Sequence, residues 1–402
     1  MNYTADEVLQ YVREEDVKFV RLAFCDVYGT QKNVSIMADE LPRAFCQGIA
    51  IDGSAVPGFA CDVRSDLMLH PDPATLAPLP WRPEHGRVVQ LFSTITLPDG
   101  TPFPCDTRCL LVDAAERAMR AGLSFSFGAE QEFYLFELDE RGRPTKTPID
   151  HAGYMDIAPE DAGENVRREV CLALERMGIR PESSHHEEGP GQNEIDFRYA
   201  DALRAADDVM AFQRAVRTIA HRNGLWADFS AKPLEDAPGN GFHVNMAPHP
   251  FGEEMFGAMI AGVLEHVREM TVFLNPSEGS YMRLGRDKAP RYLSWSTENR
   301  SQLVRVPAAV GEYRRAELRS PDPTANPYLA FSLLIHAALD GIEQNLVLPE
   351  PLDVDLFSAR ADVLDGLGHL PENLDEARRV ARESAFVAAF VPDEVIAAYC
   401  EA

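Results

Sequence analysis

Glu130 and Glu132 stand two residues apart in GAEQEF, so on a strand both carboxylates project from one face. Two acids aimed at one place repel unless a cation sits there. A solvated strand edge is the plain alternative, and company weighs against it. HHEEGPGQNEIDF carries Glu187 and Glu194 on either side of a Gly-Pro-Gly turn, a loop able to fold both acids towards a shared centre, although such turns also decorate surfaces. His243 lies in GNGFHVN, where glycines permit close backbone approach to a ligand; a satisfied core or surface histidine would look the same. Glu317 and Arg319 in YRRAELRSPDPTANPY share a strand face, an arrangement that a simple cross-strand ion pair also explains. Five carboxylates and one imidazole suit the hard cations Mg²⁺ or Mn²⁺ better than zinc or copper.

An arginine-rich island supplies the opposite charge. Residues 283 to 319 hold eight Arg and one Lys against four acids, inside a chain of 402 residues whose 38 basic and 64 acidic side chains leave a formal charge of −26. Pairing with acids elsewhere is one explanation; an anionic partner is the other. Metal-binding carboxylates beside guanidinium groups specify nucleoside-triphosphate chemistry, in which cations bridge phosphates and arginines stabilise a transferring phosphoryl group. No P-loop pattern and no GxGxxG occurs, so the nucleotide is held by another device. The acidic balance argues against nucleic acid and against anionic membrane surfaces. Seven scattered cysteines, Cys25, Cys46, Cys61, Cys105, Cys109, Cys171 and Cys400, form no CxxC pair and read as reduced cytosolic thiols. With no signal-like start and no long apolar window, a soluble cytoplasmic protein is expected.

The elements that carry these residues follow from periodicity and punctuation. Thr4-Ala5-Asp6-Glu7 is a capping-box pattern opening a short helix, and VKFVRLAFCDVYG with the segment around Val34 and Ile36 reads as two strands across a turn at Tyr28-Gly29. Proline-dense stretches at residues 65–80 and 97–106 place a boundary near residue 100, giving a sheet-rich domain over 1–100 and a second domain over 101–402. Asp106 caps a helix with Leu110, Leu111, Ala114, Ala115 and Met119 on its apolar face, ended by Gly122, and LSFSFGAEQEFYLFEL then has strand composition. Further helices fit Val166 to Met177, Leu203 to His221, Met255 to Leu274 and Tyr328 to Asn345. Strands mixed with long helices, without regular βαβ alternation or internal repeats, predict an α+β fold.

With these residues in place, the chain resembles the type I glutamine synthetases and their γ-glutamyl-amine ligase relatives. The resemblance runs from IDGSAVPGF and SDLMLHPD through GAEQEF, SHHEEGPGQNEIDF, KPLEDAPGNGFHVN, ENRSQLVRVP and RRAELRSPDPTANPYLAF. It implies a small β-grasp-like N-terminal domain ahead of the α+β catalytic domain, and homo-oligomeric rings, hexamer or dodecamer, in which a neighbouring subunit completes each active site. It implies that Glu132, Glu187 and Glu194 hold one metal and Glu130, His243 and Glu317 the metal on the ATP phosphates, with two or three Mg²⁺ or Mn²⁺ per site. Arg300, Arg305 and Arg315 match arginines on the ATP phosphates and the acyl phosphate. Arg319 and Arg283 match those on the carboxylates of glutamate, beside Gly239 and Arg305 in the substrate pocket. Asp52 matches the acid that a neighbouring subunit contributes to deprotonate ammonium, which makes Asp52, Arg300 and Arg319 the implied catalytic residues. The implied reaction has two steps: a carboxylate, γ in glutamate, attacks the γ-phosphate of ATP, and ammonia or an amine then captures the acyl phosphate.

Two places depart from the family's pattern. Where its flap carries a Glu before an Ala-Pro pair, RLGRDKAP places Lys288, with Asp287 as the neighbouring acid. Where Asn-Gly precedes the histidine loop, this chain has Pro238-Gly239, and proline lacks both an amide side chain and an N–H. These departures leave open a ligase for another acid or a larger amine, with a non-catalytic ATP-binding homologue as a third reading. The chain ends at VIAAYCEA, sooner than the family's usual helical tail, so a shortened C-terminal tail is expected and the ring count stays open.

Overall fold

Thr4 accepts from the backbone N–H of Glu7 while the Glu7 side chain accepts from that of Thr4, closing the capping box of α1 (Ala5–Glu14) and burying Val8 and Val12. The computed structural model describes residues 3–59, 65–309 and 311–401, so Cys61 lies outside the described residues. β1 (Val17–Cys25) and β2 (Gln31–Met37) pair antiparallel. β1 ends at Cys25, and the chain turns where expected, around Tyr28-Gly29. There Asp26 Oδ1 accepts from Tyr28 N (3.1 Å) and Thr30 N (2.8 Å), and Gly29 completes the turn with a φ of 81°.

After α2 (Leu41–Gln47), β3 (Ile49–Asp52), β4 (Asp66–Pro71), β5 (Ala77–Pro78) and β6 (Arg87–Thr96) complete a sheet in the order β2-β1-β6-β4-β3, with β5 on β6. Asp106 then acts twice. Its Oδ1 accepts from Arg108 N at 3.1 Å as the cap of α3 (Thr107–Arg120), and its Oδ2 accepts from Ile95 N at 2.8 Å, which ties the helix to β6. Full burial pushes this carboxyl up to about 6.

The second sheet is built on β7 (Ser124–Leu138). It is joined by β8 (Pro144–Pro148), β9 (Pro181–His186), β10 (Gln192–Phe197), β11 (Ala200–Asp201), β12 (Leu225–Asp228), β13 (Phe242–His249), β14 (Trp295–Thr297), β15 (Val304–Val306) and β16 (Ala316–Leu318). Their order is β14-β15-β16-β13-β7-β10-β9, with β8, β11 and β12 also paired to β7. Between and after the strands lie α4 (Glu164–Arg176), α5 (Ala202–Arg222), α6 (Glu253–His266), α7 (Thr271–Leu274), α8 (Glu278–Arg283) and α9 (Pro327–Glu343). Alternation along β7 sends Phe127, Ala129, Gln131 and Phe133 to the helix-covered face, where all four are buried. Phe127 stacks on Phe331 of α9 at 4.4 Å, and Phe133 meets Phe212 of α5 edge-on at 6.2 Å. The other face is left to Glu130 and Glu132.

The α+β class is therefore as expected, and α4, α5 and α9 lie close to their expected spans. The helix expected from Met255 to Leu274 instead breaks after His266. Its ring contacts Glu269 Oε2 and Asp340 Oδ2, each at 2.8 Å, and stacks on Phe386 at 3.9 Å. These tertiary contacts hold the turn, and residues 267–270 contain no Gly or Pro to announce it. α6 and α9 cross at Gly262 and Gly341. A Cβ on Gly262 would lie 2.2 Å from Ala337 O, and one on Gly341 2.2 Å from Ala258 O, so the close approach requires glycine. Tyr399 of the C-terminal helix Asp393–Cys400 donates its hydroxyl to Val27 O at 3.0 Å, and Asn326, the cap of α9, donates to the same carbonyl at 2.9 Å. No described helix is long and apolar enough to cross a membrane.

Candidate active site

Cross-strand register assembles the acids. β7 sets Glu130 opposite His243 of β13, and sets Glu132 and Glu130 opposite Glu194 and Asp196 of β10. β10 in turn places Glu194 opposite His185 of β9, while Glu317 of β16 faces Asn245 of β13 and Arg305 of β15. Antiparallel ladders thus turn period-two spacing in distant segments into one carboxylate floor.

Three sets of side chains on this floor offer ligand atoms within 4.8 Å of one another: Glu130 with His243 and Glu317, His185 with Glu187 and Glu194, and Glu130 with Glu194 and Asp196. His243 Nδ1 is 3.4 Å from Glu130 Oε2 and 3.8 Å from Glu317 Oε1. His185 Nε2 is 2.8 Å from Glu187 Oε1 and 3.7 Å from Glu194 Oε2. Glu132 stands beside these sets, its Oε2 accepting from Gly241 N at 2.8 Å and Gln192 Nε2 at 3.0 Å.

Charge here is under-compensated. Burial, reinforced by Asp196, Glu132, Glu130 and Glu187, holds Glu194 well above the ordinary carboxylate range. Burial also raises Glu132, and burial with Glu130 raises Asp196. Burial would raise Glu187 too, yet hydrogen bonding from His185 brings it below its usual value, and His185 rises in return. Glu317 is lowered against its burial by Arg319, His243 and Arg305; Arg305 Nη1 donates to its Oε2 at 2.6 Å and Arg319 to its Oε1. Crowded, buried carboxylate oxygens with two imidazoles are a donor set that fits hard divalent cations, which would relieve the repulsion.

The same cleft, about 630 Å³, has a wall of Arg283, Arg300, Arg305, Arg315 and Arg319. Arg315 Nε donates to Asn245 Oδ1 (3.0 Å), whose Nδ2 donates to Glu130 Oε1 (2.8 Å), so wall and floor are bonded to each other. Arg319 Nε donates to Arg300 O at 3.2 Å, and buried Arg283 donates to Ser320 O at 2.7 Å and Arg319 O at 3.3 Å. At Gly239 a Cβ would sit 2.4 Å from Ala231 O, which keeps this stretch of backbone bare, and Pro238 O accepts from Tyr134 Oη at 2.7 Å. On the loop at residues 284–290, Asp287 and Lys288 are both left-handed (φ 45° and 66°); Asp287 pairs with Lys232 at 3.0 Å, and Lys288 reaches Glu188 across the cleft mouth.

Of the residues singled out from sequence, two do not line this cleft. Glu317 is buried beneath it under Arg305 and Arg319. Asp52 sits on the exposed end of β3, its Oδ1 accepting from Ser54 N (3.0 Å) and Ser54 Oγ (2.7 Å). His185, Asp196 and Asn245 had not been singled out. Asp196 follows Glu194 at the same spacing as Glu132 follows Glu130, so its signal was present. For the adjacent histidines only strand register decides: His185 faces the acids, and His186 points behind them to Asp150 Oδ1 at 3.0 Å.

A carboxylate floor facing an arginine wall suits the binding of metal-complexed phosphates and phosphoryl transfer. Similarity to known proteins carries this class of chemistry to a family. The family model described as the glutamine synthetase catalytic domain matches residues 104–402, and that of the glutamine synthetase β-grasp domain matches residues 16–98. The chain is 42% identical to a glutamine synthetase from Clostridium saccharobutylicum, over 99% of this chain and 93% of that one. It is 42% identical to another from Methanosarcina mazei, over 98% and 92%. A solved structure described as a GmaS/ADP complex superimposes with a TM-score of 0.87 at 28% identity, over 100% of this chain and 94% of that one. The chain belongs to the glutamine synthetase family. It is an enzyme, an ATP-dependent ligase that forms C–N bonds, with the β-grasp domain and α+β catalytic fold expected from the sequence, and ATP and divalent-metal use go with that family. The γ-glutamyl-amide alternative is not favoured by these relatives.

Proposed function

We propose that this chain activates the γ-carboxylate of glutamate with ATP and joins it to ammonia. The observation that carries the reading is the meeting of carboxylate floor and arginine wall in one cleft. A γ-carboxylate oxygen attacks the terminal phosphorus and ADP leaves; the ammonia nitrogen then attacks the acyl carbon and expels phosphate. Glu130, His243 and Glu317 would hold one Mg²⁺ or Mn²⁺, and Glu132, Glu187 and Glu194 another, two or three ions per site in all. When bound, these cations offset charge on the ATP phosphates. Arg300, Arg305 and Arg315 bind the ATP phosphates and the acyl phosphate, while Arg319, Arg283, Arg305 and Gly239 bracket the glutamate. Arg305 and Arg319 are already gripped by Glu317, so both guanidiniums are oriented before substrate arrives.

Ammonium must lose a proton before it attacks. Asp52 takes it, reaching the cleft of a neighbouring subunit in a homo-oligomeric ring, hexamer or dodecamer; its exposed position away from its own cleft supports this. Residues 1–100 and 101–402 act as the two domains of a cytoplasmic protein. Phosphate release from ATP, measured with glutamate, ammonium and Mg²⁺ or Mn²⁺, tests the reading. Turnover requiring all of them is expected. Turnover only with another acid or a larger amine would overturn the substrate assignment.

A further inference from the structure

We propose that Asp150 and His186 are positioning residues that fix the turn carrying Glu187, and through it set the affinity for the cation shared by Glu132, Glu187 and Glu194. The inference rests on the metal assignment above and deepens it. Glu132 and Glu194 lie opposite each other within β7 and β10, where the ladder holds their backbones. Glu187 has no such support: β9 ends at His186 and β10 begins at Gln192, so this acid opens the turn between them. Its charge faces those of Glu132 and Glu194. Repulsion among three carboxylates would drive the one borne on a turn out towards water, so its backbone must be held from behind.

His186 supplies that hold. Its side chain is fully buried, and its ring spans two acceptors, with Nδ1 2.6 Å from Glu187 O and Nε2 3.0 Å from Asp150 Oδ1. The same Asp150 oxygen accepts from Gly191 N at 2.8 Å. One carboxylate thus grips both ends of the turn, Glu187 through the imidazole and Gly191 directly. Gly191 O in turn accepts from Leu135 N of β7 at 2.8 Å, and Asp150 Oδ2 accepts from Ala162 N at 3.0 Å, so the anchor is itself tied down on two sides. Asp150, Asp161 and His186 also bring ligand atoms within 4.8 Å of one another. Their oxygens are already committed, however: Asp150 to the N–H groups of His186, Gly191 and Ala162, and buried Asp161 to the guanidinium of buried Arg167. An ion there would have to displace an arginine, so the cluster serves as an anchor and not as a further cation site.

Mn²⁺ titration of the whole enzyme without ATP, with free Mn²⁺ read by electron paramagnetic resonance, tests this apart from turnover. Glu187→Gln identifies the ion concerned, since one class of site should weaken by at least about tenfold. His186→Gln reaches only one of the two acceptors and should weaken that same class by about tenfold. Asp150→Asn keeps the shape and loses the charge, and should weaken it by about threefold. In both variants the class held by Glu130, His243 and Glu317 should stay within about twofold of the parent, and the double variant should lie within about twofold of His186→Gln, because both residues act through one turn. Unchanged affinity in either variant overturns the proposal. So does an equal loss in both classes, or a double variant in which the two losses multiply, since general loosening would then be the cause. Should His186→Gln fail to fold by circular dichroism, Asp150→Asn decides by itself. Failure of the metal assignment looks different: Glu187→Gln would leave Mn²⁺ binding unchanged, and the anchor would have no ligand to position.

Discussion

Glu194 illustrates what a single buried acid costs and what it is for. Its carboxyl is raised above the value it has in the unfolded chain, so its charged form is unfavourable at neutral pH, and that penalty eases as pH falls towards the ordinary carboxylate range. Glu194→Gln should raise the melting temperature of the metal-free chain by roughly 2 °C. The same change should diminish the further rise that Mn²⁺ gives the parent protein, leaving the part due to the ion on Glu130, His243 and Glu317; a variant that keeps the full Mn²⁺ response would remove Glu194 from the metal site. Glu187→Ala and His243→Ala should each cut metal-dependent ATP turnover by at least about 100-fold, with unchanged circular dichroism. Full activity in either would sink the site assignment. At this scale the sequence was informative where spacing carried the message, as for Glu130 with Glu132. It was silent for Asn245, whose bonds to Glu130 and Arg315 exist only after three strands have paired.

Elements pack here with little slack. Replacing a helical glycine by alanine normally stabilises by up to about 1 kcal/mol, yet Gly262→Ala should destabilise by about 2 kcal/mol or more, because its Cβ would press on Ala337 O of α9. A lower denaturation midpoint at unchanged slope is the expected result. His336, also on α9, contacts Arg117 at 3.0 Å and stacks on Phe390 at 3.9 Å, and burial followed by the Arg117 charge pushes it down to about 3. The unfolded chain takes up this proton near pH 6.5 while the folded one resists, so stability is lost as pH falls through that window, by at most about 1.4 kcal/mol per unit. His336→Gln should flatten that part of the slope, measured as denaturation midpoints at pH 7 and pH 5. An identical slope would acquit His336. Helix ends at Thr4, Asp106 and Asn326 were local events set by a side chain and its next few N–H groups. The break after His266 was not legible, since what holds it comes from Asp340 and Phe386, far along the chain.

For the whole molecule the decisive question is whether one chain makes a site. The proposed supply of Asp52 from a neighbouring subunit predicts complementation: Asp52→Ala and His243→Ala should each be inactive alone. Co-expressed, they should recover about a quarter of parental turnover, as random mixing in a ring pairs one intact Asp52 with one intact His243. No recovery would place Asp52 outside the reaction. The formal charge of −26 also makes the arginine wall the local exception that attracts anionic substrates, so the KM for ATP should rise with ionic strength.

By itself the sequence determined the α+β class, the acids, the arginines and the family's chemistry, because those depend on residue type, short-range period and ordered motifs. It carried the oddity of Lys288 as well. Tertiary structure alone decided which of two adjacent histidines meets the acids, that Glu317 lies beneath its arginines, and that Lys288 finds Glu188 from a hundred residues away. The reason is physical: spacing along one strand fixes the face a side chain takes, whereas the partner it meets there depends on the register of strands brought together from distant parts of the chain.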